Sequence, residues 1–227
     1  MSNNYFITGT DTDAGKTLIA ASLLCKANQS GLQTLGLKPL AAGAEITEAG
    51  FCNEDAVLLQ KYSSILLDYE QVNPVLLQQP MAPHIAAAQE GKRLKVDTLE
   101  GYIRGALTAR PQFCVIEGAG GWRVPLNPAQ TMADLVKALG LPVILVVGMK
   151  LGCLNHALLT AEAIQRDGLS IAAWVATQVE PNMFVVEENL NALKHLLPFP
   201  HLGFVPWLTS PTPESVAAYL DLQLLGI

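Results

Sequence analysis

Gly9-Thr10-Asp11-Thr12-Asp13-Ala14-Gly15-Lys16-Thr17 follows directly on the strand-like run Tyr5-Phe6-Ile7 and leads into the helically spaced residues Leu18, Ala21, Ser22 and Cys25. A loop of small residues between a strand and a helix lets backbone N–H groups converge on an anion, and the helix N-terminus adds its partial positive charge. The Gly-Lys-Thr end supplies a cation for the β- and γ-phosphate oxygens of a nucleotide and a hydroxyl for Mg2+. The strict form of this motif places its glycines one residue closer together than Gly9 and Gly15. The strand before the loop and the helix after it outweigh that mismatch, because they create the geometry that phosphate needs. The segment is read as a P-loop.

Moving outward, β-rich runs recur at Tyr5 to Thr8, Thr34 to Leu37, Phe113 to Ile116, Val143 to Val147, Ile171 to Ala176 and Leu202 to Val205, with helical spacing between them. Met132, Leu135, Val136 and Leu139, for example, share one helix face. Val143-Ile144-Leu145-Val146-Val147 is apolar throughout rather than alternating, as expected of a parallel strand covered on both faces. The expected architecture is a single P-loop α/β domain over 1–227, with a doubly wound, mostly parallel sheet and helices on both faces.

Half of the 227 residues are apolar, enough for one large core. A formal charge of -6 without a stretch of clustered Lys or Arg argues against nucleic acid or an anionic membrane as partner. The N-terminus lacks the basic and long apolar regions of a secretory signal, and Leu141 to Met149, the longest apolar run, is far short of the roughly 20 residues that span a bilayer. A cytoplasmic location is expected. Cys25, Cys52, Cys114 and Cys153 have no CxxC spacing, which argues against disulfides and zinc.

Ligands of doubly wound sheets gather beyond the carboxyl ends of the strands. Four segments fall there besides the P-loop. Glu117-Gly118-Ala119-Gly120-Gly121 brings a carboxylate suited to Mg2+, then glycines that permit close backbone approach. Lys38, just before Pro39, is aimed at the same pocket as Lys16, and two cations there suit transfer of a phosphoryl group. On its own it can also be read as a solvated strand-end lysine. Asp55 opens a helical run, where a first-turn charge favoured by the dipole and a metal ligand look alike. Gly152-Cys153-Leu154-Asn155 opens another helix, whose N–H groups either hold a carboxylate or form a plain turn.

With these segments in place the chain resembles dethiobiotin synthetase over nearly its whole length. The resemblance is carried in order by Gly9 to Thr17, Lys38-Pro39, Asp55-Ala56, Pro83-His84, Glu117 to Trp122 and Leu151 to His156. It implies that 7,8-diaminopelargonate takes up CO2 (from bicarbonate) as a carbamate, ATP phosphorylates it, and the second amine closes a cyclic urea. In that picture Lys16 and Lys38 are catalytic, while Thr17, Asp55 and Glu117 surround Mg2+. Asp13, Ala14, Gly15, Leu18, Gly118, Ala119 and Gly120 complete the phosphate site. Thr177-Gln178 and Pro206-Trp207-Leu208 face the base. Thr12 and Ala42 contact substrate. A homodimer is implied, in which the substrate's tail carboxylate meets Gly152, Cys153, Leu154 and Asn155 of the neighbouring subunit.

Three positions depart from the family pattern. Ala42 stands where a hydroxyl is common, Asp13 replaces a common Glu, and Thr177-Gln178 stands where Asn-Asp is frequent. Thr cannot pair with an adenine edge in two directions, so weak base discrimination is expected. A nucleotide-driven switch of the ParA/MinD kind is the main rival, but Asp11 occupies the place of its signature lysine, and Pro213 to Ile227 lacks the basic residues of a membrane-binding tail. The corrin-amidating relatives need an added glutaminase domain, for which the chain has no room.

Overall fold

The computed structural model describes residues 3–47 and 50–227. Its elements run β1 (Asn3–Gly9), α1 (Lys16–Gln29), β2 (Thr34–Leu37), β3 (Leu40–Ala42), β4 (Glu45–Thr47), β5 (Gly50–Cys52), α2 (Glu54–Tyr62), α3 (Tyr69–Val72), β6 (Val75–Leu77), α4 (Pro83–Gln89) and α5 (Val96–Ala106). They continue with β7 (Phe113–Gly121), α6 (Met132–Leu139), β8 (Val143–Met149), α7 (Cys153–Arg166), β9 (Ile171–Gln178), α8 (Val186–Leu196), β10 (His201–Val205) and α9 (Pro213–Ala217).

Six strands form one sheet in the order β10-β9-β8-β1-β7-β2, and every neighbouring pair is parallel. All six expected strands are in it. Their side chains alternate between two cores, which explains why the strands read as continuously apolar. In β8, Val143, Leu145 and Val147 pack on one face with α4 to α8, whereas Ile144 and Val146 pack on the other with α1. β7 divides in the same way, Cys114 and Ile116 against Phe113 and Val115. After β1 the chain winds toward β2 and later returns on the opposite side through β8, so the loop after β1 sits where the winding reverses.

Two small sheets were not legible as strands: the parallel pair β3 and β6, and the antiparallel pair β4 and β5. Each strand has three residues, too few to show a period. β7 also runs past the expected end at Ile116 to Gly121. Its pairing with β1 slips between Ile7 and Gly9, so Glu117 lies inside the strand rather than just beyond it. Gly118 is required by packing, since a Cβ there would come within 2.9 Å of the Phe6 ring. The four cysteines are buried free thiols. No helix among the described residues is long and apolar enough to cross a membrane.

Candidate active site

Asp13 and Gly15 both adopt left-handed backbone conformations (φ 57° and 88°), and this accommodates the extra residue of the loop. α1 begins at Lys16 with no side-chain cap and no acidic residue in its first turn, so its leading N–H groups remain available to an anion. α2 is the opposite case: the Asn53 side chain accepts from Ala56 N, and Glu54 and Asp55 occupy the first turn.

Five chemically active side chains meet beside the loop. Lys38 Nζ lies 2.6 Å from Glu117 Oε1 and 2.8 Å from Asp55 Oδ2, with 5% of its side chain exposed. The Thr17 hydroxyl donates to Glu117 Oε1 at 2.9 Å, and Lys16 Nζ donates to the Asp11 carbonyl at 3.1 Å. The Lys38 backbone is clamped as well: its N–H donates to Val72 O at 2.9 Å, and its carbonyl accepts from Asn73 Nδ2 at 2.5 Å. Lys38, just past the end of β2, is therefore buried and paired, which excludes the solvated alternative.

The electrostatics follow from burial and pairing. Burial pulls the Lys38 ammonium down, but the Glu117 and Asp55 carboxylates more than offset it and hold its pKa above that of a free lysine. Burial lowers Lys16, with Lys38 adding to the effect while Glu117 opposes it. Burial, reinforced by Asp55, raises Glu117. Burial also works against ionised Asp55, yet Lys38 and then Thr17 keep its pKa below the usual value. Glu117 Oε2 is buried without a hydrogen-bond partner. A buried carboxylate oxygen left unpaired beside a threonine hydroxyl and a second carboxylate fits a hard divalent cation.

A cavity of about 890 Å³ opens from this cluster. Its lining combines the polar Lys16, Thr17, Lys38, Asp55 and Glu117 with the apolar Ala41, Ala42, Met81, Ala82 and Val124. Thr12, Asp13, Gly15, Leu18, Ala119 and Gly120 line it too. Sequence reasoning missed Asn53 and the Pro80 to Pro83 wall. The two prolines, flanking Met81 and Ala82, were the available signal for a rigid segment.

Other predicted residues lie elsewhere. Gly118 reaches the site only through its carbonyl, 3.4 Å from Lys38 Nζ, and Ala14 is buried beneath the loop. Thr177 and Gln178 end β9; Pro206, Trp207 and Leu208 follow β10. None of these five lines the cavity, but Gln178 Oε1 accepts from Trp207 N at 3.3 Å and so joins the two segments. Thr177 packs under Gly15, where a Cβ would stand 3.0 Å from its Cγ2. Gly152, Cys153, Leu154 and Asn155 also lie outside the cavity. They form the start of α7, which has a left-handed glycine at its cap and neither a capping side chain nor a first-turn acid. Leu151 beside it is 95% exposed.

A family model described as an AAA domain matches residues 3–215. The ATP-dependent dethiobiotin synthetase of Cellvibrio japonicus is 55% identical over 97% of this chain and 96% of its own length. That of Pseudomonas aeruginosa PAO1 is 51% identical over 98% of both chains, and that of Escherichia coli K12 is 46% identical over 99% of this chain and 100% of its own. Among solved structures, the septum site-determining protein MinD of Pyrococcus horikoshii, complexed with Mg-ADP, matches at a TM-score of 0.57 and 16% identity, over 91% of this chain and 82% of its own. At that identity the likeness is one of fold.

Proposed function

This chain belongs to the ATP-dependent dethiobiotin synthetase family, and from that membership we propose how its residues build the ureido ring of dethiobiotin from 7,8-diaminopelargonate, CO2 and ATP. It is an ATP-dependent ligase of biotin biosynthesis. The observation that carries the residue assignment is a cavity lined both by the buried Lys16, Lys38 and Glu117 with half-buried Asp55 and by apolar side chains.

The uncapped start of α1 and the loop from Asp13 to Gly15 cradle the polyphosphate. Lys16 leaves the Asp11 carbonyl to bridge the transferred phosphoryl group, a small change for a side chain held by one neutral hydrogen bond. Lys38, kept charged by its two carboxylates, holds the substrate carbamate in line. The carbamate oxygen takes the γ-phosphoryl group and ADP leaves. The second amine then attacks the carbamoyl carbon, phosphate departs, and the urea ring closes. Thr12, which lines the cavity, lies beside the carbamate, and the apolar part of the lining takes the carbon chain; Ala42 offers that chain a methyl group and no hydrogen bond. Thr17, Asp55 and Glu117 would hold Mg2+, which when bound neutralises charge on the β- and γ-phosphates.

The enzyme works as a cytoplasmic homodimer of single-domain subunits in this reading. Support comes from the uncapped start of α7 with exposed Leu151 beside it: Gly152 to Asn155 of one subunit receive the tail carboxylate of substrate bound in the other. Incubating the protein with diaminopelargonate, bicarbonate and Mg-ATP should stimulate ATP hydrolysis and yield dethiobiotin. Absence of product with every nucleoside triphosphate would refute the assignment.

A further inference from the structure

Behind the catalytic lysine lies a second hollow, of about 490 Å³, between α3, β6 and the start of α5. Its volume falls within the range of small-molecule sites, about 300–1,000 Å³. Leu94 and Leu99, both buried, form part of its floor, and Phe51 and Tyr102, both about half exposed, stand at its edge. Large apolar side chains gathered around an open hollow mark a surface that something covers. The rim is cationic. The short segment Lys92-Arg93-Leu94-Lys95 places three basic side chains on it, against one carboxylate, Glu70. Lys92 is spent on Glu90 at 2.7 Å and on the Leu76 carbonyl at 3.0 Å, contacts that pin the segment against β6. Arg93 and Lys95 make no ion pair with any described residue.

The wall of this hollow is also the back wall of the active site. Tyr69 and Asn73 line it. The Tyr69 hydroxyl donates to Asn73 Oδ1 at 3.0 Å and accepts from Asn53 N at 2.8 Å. Asn73 in turn donates to the Lys38 carbonyl at 2.5 Å, and Asn53 caps the helix that carries Asp55. A ligand that moves Tyr69 thus acts on Lys38 through two hydrogen bonds in series, by way of Asn73, and on Asp55 through Asn53, the cap of its helix.

We infer that this hollow is a second ligand site for an amphipathic monocarboxylate, whose chain lies on Leu94 and Leu99 and whose carboxylate meets Arg93 and Lys95, and that its occupancy retunes the active site through Tyr69 and Asn73. The apolar floor disfavours a wholly polar anion, and two cations without ion pairs, against the single carboxylate of Glu70, disfavour an amine. The hollow is separate from the active-site cavity, so binding alone is measured first. Octanoate is titrated calorimetrically into protein whose active site is already filled with diaminopelargonate and a non-hydrolysable ATP analogue. Saturable binding at or below about 1 mM is expected, with octylamine giving none. Arg93→Glu/Lys95→Glu, two exposed changes that leave basal turnover as it was, should weaken octanoate at least about tenfold. Octanoate should shift KM or kcat of the wild type, and Tyr69→Phe should bind it as before but lose that shift. No saturable octanoate binding, or binding unaffected by the double charge reversal, overturns the site. An unchanged kinetic response in Tyr69→Phe overturns the coupling. Neither result bears on whether the enzyme makes dethiobiotin.

Discussion

Replacing Lys38 with methionine should destabilise the protein and stop turnover, and the two losses can be separated. The side chain is of similar length, so packing changes little, but the cation disappears from beside a carboxylate that is 1% exposed. Glu117 Oε1 would keep only the Thr17 hydroxyl and Oε2 already has no hydrogen-bond partner, so a buried charge is left almost bare. Breaking such a pair from one side costs about 3–5 kcal/mol. Asp55 adds little, because its side chain is 39% exposed and regains water. Glu117→Gln in the same chain removes the stranded charge, so the double variant should recover at least about 2 kcal/mol relative to the sum of the single variants. Urea unfolding followed by circular dichroism, with a chelator present and nucleotide absent, measures all four corners of the cycle. Turnover should not recover if Lys38 is, as proposed, also the cation at the reacting oxygens: Lys38→Met and the double variant should both lose at least about 2 kcal/mol of transition-state stabilisation, roughly 30-fold in rate. A Lys38→Met cost below about 1 kcal/mol, or strict additivity, would show that the triad is not held together as described.

Lys16→Ala should abolish turnover while lowering the unfolding free energy by no more than about 1.5 kcal/mol, because the buried side chain makes one hydrogen bond among the described residues, to the Asp11 carbonyl; coupled detection of ADP release checks the first part. Base discrimination should be weak, within about tenfold in kcat/KM among ATP, CTP and GTP. Thr177 is sealed under Gly15, and the Gln178 amide is already engaged by Glu180 O, Pro181 O and Trp207 N. A strong ATP preference would instead assign base reading to backbone groups around Trp207. His201 makes stability fall with acid: burial, aided by Lys194, lowers its pKa to about 4, with an opposing backbone contact from Gly203. Its folded pKa lies below the unfolded value, so the unfolded chain binds the proton first, and the stabilisation present above about pH 6.5 is lost as pH falls toward 4. The ring is partly exposed, so the loss is about 1–2 kcal/mol rather than the full shift. His201→Phe, which preserves the stacking on Trp174, should flatten that part of the stability curve measured by urea unfolding at a series of pH values.

Much of this molecule was written in short stretches of sequence. Strand, small-residue loop and uncapped helix start were legible from Tyr5 to Cys25, because backbone geometry there depends on residues adjacent in the chain. The six sheet strands were legible for the same reason: a parallel strand covered on both faces is apolar at every position. Whether Lys38 is solvated or paired was decided by folding, which buries it against Glu117 and Asp55. Glu117 is 79 residues from Lys38 and 100 from Thr17, and no local pattern reports that the three share one buried cluster. The same holds for the wall between the two cavities, since Asn73 carries no signal of its contact with the Lys38 carbonyl. Three-residue strands such as β3 and β6 are too brief for a period, so only the tertiary structure turns Ala41 and Ala42 toward the cavity. Local order is a property of neighbours along the chain, whereas charge, burial and ligand shape arise from residues that meet only once the chain has closed on itself.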